Sequence, residues 1–219
     1  MPTRSVYLIG DSTVAEQKEG QPARGWGQFL QPFFKDTVLV VNRAANGRSS
    51  KSFQREGRWR DILREKPNFV LIQFGHNDVS HSDQASATLP DGEFRECLIR
   101  YIDTARKIGA QPILITPMRM RTFSSHRLSD SLGPYAKTTR TIGSEKKVPV
   151  VDLFALTTEL FERLGKAQCD QFGASIGDDA HFNELGAKLL VELLVRDLRR
   201  LNTPLVNELR DGFSILAHP

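Results

Sequence analysis

A serine, a histidine and two aspartates of this sequence are of the types needed to activate a hydroxyl group for attack on a carbonyl. Ser12 follows a glycine and an aspartate near the N-terminus, and His181 lies toward the C-terminus. A serine hydroxyl becomes a good nucleophile when a base removes its proton, and a neutral imidazole is such a base. A carboxylate must then orient the imidazole, and Asp178 or Asp179 is close enough in sequence to do so.

Two further polar segments could supply the hydrogen-bond donors that a reaction at a carbonyl requires. Attack on the carbonyl creates an oxyanion, which preorganised N–H groups stabilise. Gly47 has no side chain to block the approach of its backbone N–H, and Asn77 has a side-chain amide. Together with the backbone N–H of Ser12, these groups would form an oxyanion hole with three donors.

Each of these segments, taken alone, also fits a purely structural role. The segment around Ser12 is typical of a turn or a helix N-cap, and Asn46 followed by Gly47 is typical of a tight turn. Asn77 could hold its own loop through an Asx turn, and Asp178 could cap a turn. The elements that position these residues must therefore decide whether they meet in the folded chain.

Five short and continuously apolar runs predict strands that are buried on both faces, as in a parallel sheet. The predicted strands are Val6–Ile9, Val38–Val41, Phe69–Phe74, Pro112–Thr116 and Val148–Val151. A polar segment follows each of the first three strands, and open parallel sheets gather their sites at the carboxyl ends of the strands. We therefore expect Ser12, Gly47 and Asn77 to meet at one edge of the sheet.

Amphipathic segments between and after these strands predict helices. Their predicted bounds are Trp26–Phe34, Trp59–Glu65, Glu93–Ile108, Tyr135–Lys147, Leu153–Leu164 and Glu184–Leu201. Gly109 is a natural C-cap for the third helix, and Asn183 is a natural N-cap for the last. The alternation predicts a single α/β domain over residues 1–219, with helices on both faces of the sheet and long surface loops at 80–92 and 119–133.

The composition excludes several classes of protein. The chain has 219 residues, of which 39% are hydrophobic and 26% charged, as in soluble globular domains. No apolar run reaches the roughly 20 residues needed to cross a bilayer, and a net charge of +4 from scattered residues does not favour nucleic acid as a partner. The first residues lack the apolar segment of a signal peptide, so we expect a cytoplasmic protein, or a secreted one if a leader was removed.

Neither a metal site nor a disulfide is indicated. No spacing typical of a metal site occurs among the histidines, which are His76, His81, His126, His181 and His218. Cys97 and Cys169 are far apart and form no CxxC motif, which favours packing roles in a reducing compartment. The reaction outlined above needs no cofactor.

The polar segments, in this order, resemble the four sequence blocks of the SGNH (GDSL) hydrolase superfamily. The matching stretches are Gly10-Asp11-Ser12, the Asn-rich loop with Gly47, Gly75-His76-Asn77-Asp78, and Asp178 to His181. The resemblance covers residues 6–181 and implies a flavodoxin-like, three-layer α/β/α fold with a parallel sheet of about five strands. It also implies a Ser12–His181–Asp178 triad, because the family's DxxH spacing favours Asp178 over Asp179, and an oxyanion hole of Ser12, Gly47 and Asn77.

A closer resemblance is to the rhamnogalacturonan acetylesterase branch of that superfamily. The matching stretches are Tyr7–Val14, Gly25–Gly27, Asn46–Ser50, Phe74–Asp78 and Thr116–Met120. This resemblance implies removal of acetyl groups from a pectin backbone of rhamnose and galacturonic acid, so that the partner is an acetylated carbohydrate. Guanidinium groups bind carboxylates well, so Arg48, Arg119 or Arg121 could contact a uronate, although a solvated charge is the plainer interpretation. Asp11 and His76 are further candidates for substrate binding, and His76 could instead support the site structurally.

Two other functions remain open from the sequence. An SGNH lipase, acylesterase or thioesterase would keep the chemistry and act on a different short acyl ester. A long acyl chain would need an apolar groove, which the polar loops do not favour. A non-enzymatic flavodoxin-like module would hold phosphate with loop N–H groups. The sequence has no GxxxxGK[ST], GxGxxG or GxSxG motif. The sugar, the acetyl position and the oligomeric state have no sequence signature here.

Overall fold

The centre of the protein is a five-stranded parallel sheet, as predicted. The computed structural model describes residues 2–79, 85–124 and 127–216. In chain order the strands are β1 (Arg4–Gly10), β2 (Val38–Asn42), β3 (Phe69–Gln73), β4 (Gln111–Ile115), β5 (Phe123–Ser124), β6 (Arg127–Leu128) and β7 (Val150–Val151). The sheet has the order β2-β1-β3-β4-β7, and β5 and β6 form a separate antiparallel hairpin.

Helices cover both faces of this sheet. They are α1 (Ser50–Arg55), α2 (Arg58–Glu65), α3 (Arg95–Lys107), α4 (Gly133–Lys146), α5 (Leu153–Cys169) and α6 (Glu184–Leu198). Alternate residues of β1 enter two separate cores: Val6 and Leu8 pack with α5 and α6, whereas Tyr7 and Ile9 pack with α1 to α4. Burial on both faces is the reason that β1, β3 and β4 are continuously apolar in sequence, whereas the edge strand β2 is apolar but partly exposed.

Two of the predicted caps are present. The side chain of Asn183 accepts a hydrogen bond of 3.0 Å from the N–H of Gly186, which satisfies a donor in the first turn of α6. Gly109 follows the end of α3 with φ +83°, a conformation that favours glycine. None of the helices in the described part of the chain has both the length and the apolar character needed to cross a bilayer.

Three local predictions are wrong or incomplete. Residues 26–34 form the 3₁₀ turns Trp26–Phe29 and Gln31–Phe33 rather than one helix, because Pro32 has no N–H to continue an α-helical ladder. Helix α1 was not predicted, since six residues are too few for a periodic pattern. The predicted loop 119–133 contains the β5–β6 hairpin, and residues 80–84 of the predicted loop 80–92 lie outside the described residues.

Candidate active site

Ser12 lies in a tight turn directly after β1. The N–H groups of Val14 and Ala15 donate to the carbonyl of Asp11 at 3.1 and 2.9 Å, so the chain turns as soon as the strand ends. The buried carboxylate of Asp11 accepts from both the N–H and the hydroxyl of Thr13, at 2.9 and 2.6 Å. These bonds fix the turn that presents Ser12 at the carboxyl end of the sheet.

A buried chain of side chains anchors this turn to the neighbouring strand. The Gln73 amide, at the end of β3, donates to the hydroxyl of Thr13 at 2.8 Å. Its oxygen accepts a bond of 2.9 Å from the indole N–H of Trp26. Because all three side chains are buried and satisfied, they hold the turn more rigidly than exposed hydrogen bonds would.

His181 lies between the Ser12 hydroxyl and a carboxylate. Its Nε2 is 2.9 Å from the Oγ of Ser12, and its Nδ1 is 3.0 Å from Oδ2 and 3.2 Å from Oδ1 of Asp178. A proton on Nδ1, bonded to the carboxylate, leaves Nε2 as the acceptor for the serine proton. The structure thus brings together Ser12, His181 and Asp178.

The carboxylate of Asp178 also shapes the loop that carries the histidine. Its Oδ1 accepts the backbone N–H groups of Ala180 and His181 at 3.0 and 2.8 Å, which closes a local turn. Partial burial raises the pKa of Asp178, but these hydrogen bonds and the nearby imidazole outweigh it and hold the pKa below its usual value. Asp178 is therefore ionised at neutral pH and can stabilise an imidazolium. Asp179 presents its backbone carbonyl to Arg121.

The segments after β2 and β3 bring Gly47 and Asn77, respectively, to the same edge of the sheet. Gly47 has φ +73°, and a Cβ added there would meet no atom within 4 Å, so the space in front of it is open. The Asn77 amide lies 3.4 Å from the carbonyl of Arg48, the residue after Gly47. The N–H of Ala45 donates to the carbonyl of Gly10 at 3.0 Å and ties this segment to the end of β1.

A reciprocal pair of side-chain amides joins the glycine segment to the serine turn. The Nε2 of Gln17 donates to Oδ1 of Asn46 at 2.8 Å, and the Nδ2 of Asn46 donates to Oε1 of Gln17 at 2.9 Å. Gln17 also donates to the carbonyl of Ser12 at 3.1 Å. This pair, which the sequence did not reveal, fixes the distance between the serine and the Gly47 segment.

Asp78 is a buried acid that joins the Asn77 turn to the start of α1. Its carboxyl group accepts from the N–H and the hydroxyl of Ser50, at 3.0 and 2.6 Å, and from the hydroxyl of Thr88 at 2.8 Å. Burial raises the pKa of Asp78 to about 6, although the bonds from Ser50 and Thr88 oppose that effect.

The raised pKa of Asp78 predicts an unusual pH dependence of stability. A folded-state pKa above the ordinary value means that the folded chain holds a proton that the unfolded chain has lost, so stability falls as the pH rises through about 6. Between about pH 4 and pH 7, the wild type should lose about 2–3 kcal/mol of unfolding free energy relative to Asp78→Asn. Urea unfolding of both proteins at several pH values measures this difference, and parallel profiles would contradict it.

Asp11 and His76, the other polar candidates, form a buried pair next to the serine turn. The Nδ1 of His76 lies 3.6 Å from Oδ2 of Asp11, and the side chains are 7% and 0% exposed. Burial raises the pKa of Asp11, but the nearby His76 imidazole and the hydrogen bonds from Thr13 lower it by more, so the net shift is downward. Both side chains are buried next to the serine turn, and the idea that either contacts a substrate stays a prediction.

The three candidate arginines have different surroundings. Arg48 is partly exposed beside Gly47, where it pairs with Glu56 at 3.0 Å. Arg119 is buried: it donates to the carbonyl of Leu128 at 3.0 Å, and its guanidinium lies 4.9 Å over the ring of Phe154. Arg121 is also buried, against the loop that carries His181. Of these arginines, Arg48 lies next to Gly47, whereas the guanidinium of Arg119 lies against Phe154.

Among the residues that the structure describes, no group of three or more His, Cys, Asp and Glu side chains is arranged to hold a metal ion. His81, His126 and His218 lie outside those residues. Cys97 and Cys169 are buried free thiols, and burial raises the pKa of Cys169 to about 11. Both are therefore protonated packing residues at neutral pH rather than nucleophiles.

Comparison with protein families gives one match that spans the site. The family described as GDSL-like lipase/acylhydrolase matches residues 8–189, which is most of the chain. The match includes every residue of the arrangement just described, from the serine turn to the histidine loop.

Comparison with individual proteins gives relatives of similar length. The chain is 34% identical to the rhamnogalacturonan acetylesterase RhgT of Bacillus subtilis (strain 168), over 94% of this chain and 95% of that protein. It is 32% identical to the same organism's "Probable rhamnogalacturonan acetylesterase YesY", over 93% and 96%. Among solved structures, the acetylxylan esterase Axe2 of Geobacillus stearothermophilus has a TM-score of 0.71 at 20% identity, covering 90% of this chain and 94% of Axe2, a likeness of fold.

Proposed function

This chain belongs to the GDSL-like lipase/acylhydrolase family, and we propose that it is a serine esterase that removes acetyl groups from rhamnogalacturonan oligosaccharides. The observation on which this rests is the 2.9 Å contact between Ser12 Oγ and His181 Nε2, with Asp178 at the other ring nitrogen. The relatives at 34% and 32% identity, which are named for rhamnogalacturonan deacetylation, support the acyl group and the sugar.

In the proposed acylation step, Ser12 attacks the acetyl carbonyl carbon while its proton moves to Nε2 of His181. The Asp178 carboxylate stabilises the imidazolium that forms. The new oxyanion accepts hydrogen bonds from the N–H groups of Ser12 and Gly47 and from the Asn77 amide. The bond from the carbonyl carbon to the sugar oxygen then breaks, and Nε2 returns its proton to that oxygen.

In the proposed deacylation step, water replaces the sugar hydroxyl at the acetyl-serine. Nε2 of His181 removes a proton from the water as its oxygen attacks the carbonyl carbon. The same three donors hold the second oxyanion. Collapse breaks the bond to Oγ, which takes the proton from Nε2, so that the free Ser12 hydroxyl is restored and acetic acid leaves and loses its remaining proton to solvent. The bonds and protons of both steps are accounted for by the side chains and water alone.

Removing the Asn77 amide should slow the chemical steps selectively. We expect Asn77→Ala to lower kcat by about 10²–10³-fold and to change KM much less, because the donor acts on charge that develops only in the transition state. Steady-state acetate release measures both constants, and urea unfolding verifies that the variant is folded. A folded variant with kcat within about threefold of the wild type would exclude the Asn77 amide as a donor of the oxyanion hole.

The substrate class is tested by an acetate-release screen. Acetylated rhamnogalacturonan oligosaccharides, acetylated xylan and nitrophenyl esters of short and long acids are compared by kcat/KM. The proposal predicts the highest value for rhamnogalacturonan. A preference for acetylated xylan would replace rhamnogalacturonan as the proposed substrate, and a preference for long nitrophenyl esters would favour a lipase. Absence of hydrolysis, together with absence of labelling by a fluorophosphonate, would favour a binding module and contradict the esterase.

A further inference from the structure

We propose that Arg121 is a positioning residue, which holds the histidine loop in the geometry that the esterase reaction needs. The histidine loop is the segment Asp178–Phe182, and it presents both the carboxylate and the imidazole of the proposed triad. The inference rests on the proposed function, since it assigns Arg121 a role in the reactivity of Ser12.

Arg121 contacts four of the five residues of this loop. One guanidinium nitrogen, Nη2, donates to the carbonyl of Asp178 and to the carbonyl of His181, the latter at 2.7 Å. The backbone N–H of Arg121 donates to the carbonyl of Asp179 at 2.9 Å. The guanidinium carbon lies 4.2 Å from the centre of the Phe182 ring, so cation and ring stack.

These contacts join the backbone positions of the two residues whose side chains must face each other. The Asp178 carboxylate reaches Nδ1 of His181 only while both residues keep their present orientations. A single nitrogen bonded to both carbonyls fixes the distance between those backbone units. The guanidinium is planar and delocalised, so it loses little freedom when it does so. Misplacement of a catalytic group by about 1 Å can cost about 10²-fold in rate.

The histidine loop has little packing on its outer side. A cavity of about 460 Å³ borders the loop, and its lining includes Asp178, Asp179, Gly173 and Ser175 together with Arg121 itself. Ile176, two residues before the loop, is fully exposed. The carbonyls of His181 and Phe182 also accept N–H groups of Ala174 and Arg24, at 3.1 and 2.7 Å. At the start of the loop, the buried side chain of Arg121 contacts the carbonyl of Asp178.

The burial of Arg121 is costly for the fold. The side chain is 1% exposed, and its Nη1 has no hydrogen-bond partner among the described residues. Burial lowers the pKa of Arg121, although the nearby carboxylates of Asp178 and Asp179 oppose that shift. A buried charge without a paired carboxylate is destabilising, and an apolar side chain of similar length would pack against Phe182 more favourably. Because burial of this charge does not favour the fold, the hydrogen bonds of Arg121 to the carbonyls of Asp178 and His181 favour a role in reactivity over a role in stability.

The test compares Arg121→Met and Arg121→Lys with Arg106→Met. Arg106 is a matched control, because its Nη2 also donates to two backbone carbonyls, those of Lys146 and Lys147 at 2.9 and 3.1 Å, at the end of α4. Thermal unfolding verifies the fold of each variant. The rate of Ser12 labelling by a fluorophosphonate and the kcat and KM for 4-nitrophenyl acetate are then measured well below the unfolding temperature.

We expect folded Arg121→Met to lower both the labelling rate and kcat by about 10–100-fold with KM within about threefold. Arg121→Lys should lie between that variant and the wild type, since an ammonium keeps donors but not the planar fork. Arg106→Met should match the wild type in rate.

Rates of folded Arg121→Met within about threefold of the wild type would overturn the proposal, as would equal losses in the two methionine variants. If Arg121→Met does not fold, Arg121→Lys decides: a loss of about fivefold supports the proposal, and a loss below about twofold overturns it. Failure of both variants to fold would assign Arg121 to the fold and also overturn it. Absence of Ser12 labelling in the wild type would instead refute the proposed function, so the two failures are distinguishable.

Discussion

Replacement of Ser12 by alanine is expected to lower kcat for acetate release by on the order of 10⁴–10⁶-fold. The hydroxyl 2.9 Å from Nε2 of His181 is the nucleophile of the proposed acylation step and carries the acetyl group into deacylation, and alanine has no atom that could replace it. Binding of the sugar should persist, because the variant removes a single oxygen. Acetate release measured by an enzyme-coupled assay gives the rate, and isothermal titration with an acetylated oligosaccharide gives the affinity.

A matched serine controls for the loss of a hydroxyl as such. Ser144 is exposed on α4, outside the site, and Ser144→Ala should retain the wild-type rate. Urea unfolding of both variants should give stabilities within about 1 kcal/mol of the wild type. Turnover by folded Ser12→Ala within about tenfold of the wild type would exclude Ser12 as the nucleophile.

Asp178→Asn should have the second largest effect, a loss of about 10³–10⁴-fold in kcat. The amide oxygen can still accept the N–H groups of Ala180 and His181, so the turn is kept. An amide has no charge with which to stabilise the imidazolium, and its NH₂ group favours a histidine tautomer whose Nε2 carries the proton. Such an imidazole cannot accept the proton of Ser12.

The neighbouring aspartate is the matched control for this variant. Nδ1 of His181 contacts both oxygens of Asp178, and Asp179 presents its backbone carbonyl to Arg121. Asp179→Asn should therefore keep kcat within about threefold of the wild type. If Asp179→Asn were the slower enzyme, or if the two variants lost activity equally, the assignment of Asp178 as the orienting carboxylate would be wrong.

The sequence contains most of what is needed to predict the sheet. The strands β1, β3 and β4 are apolar because helices cover both faces, and polar segments begin where each of the first three strands ends. Ser12 and Asn77 could be placed at one edge of the sheet from those strand ends alone. His181 is harder to place, because no strand directly precedes it and its approach to Ser12 spans 169 residues of sequence; its position just before the last helix favours the same edge, and the resemblance to a family supports that placement.

The supporting contacts could not be predicted from local sequence. Gln17 and Asn46 are common loop residues, and their mutual bond has no periodic signature. Arg119 and Arg121 stand two residues apart and are chemically identical, yet one contacts Phe154 and the other the histidine loop. Which surface each arginine meets depends on the path of the chain after β4, and the acceptors of Arg121 are backbone carbonyls, which every residue has.

The most direct test of the proposed mechanism is to label the wild-type protein with a fluorophosphonate and map the adduct by mass spectrometry of its peptides. The reagent phosphonylates a serine only when a base activates its hydroxyl. The proposed arrangement predicts one adduct per chain, on Ser12, with acetate release lost in proportion to labelling. An unlabelled Ser12 in protein that releases acetate, or an adduct on another residue that accounts for the lost activity, would contradict it.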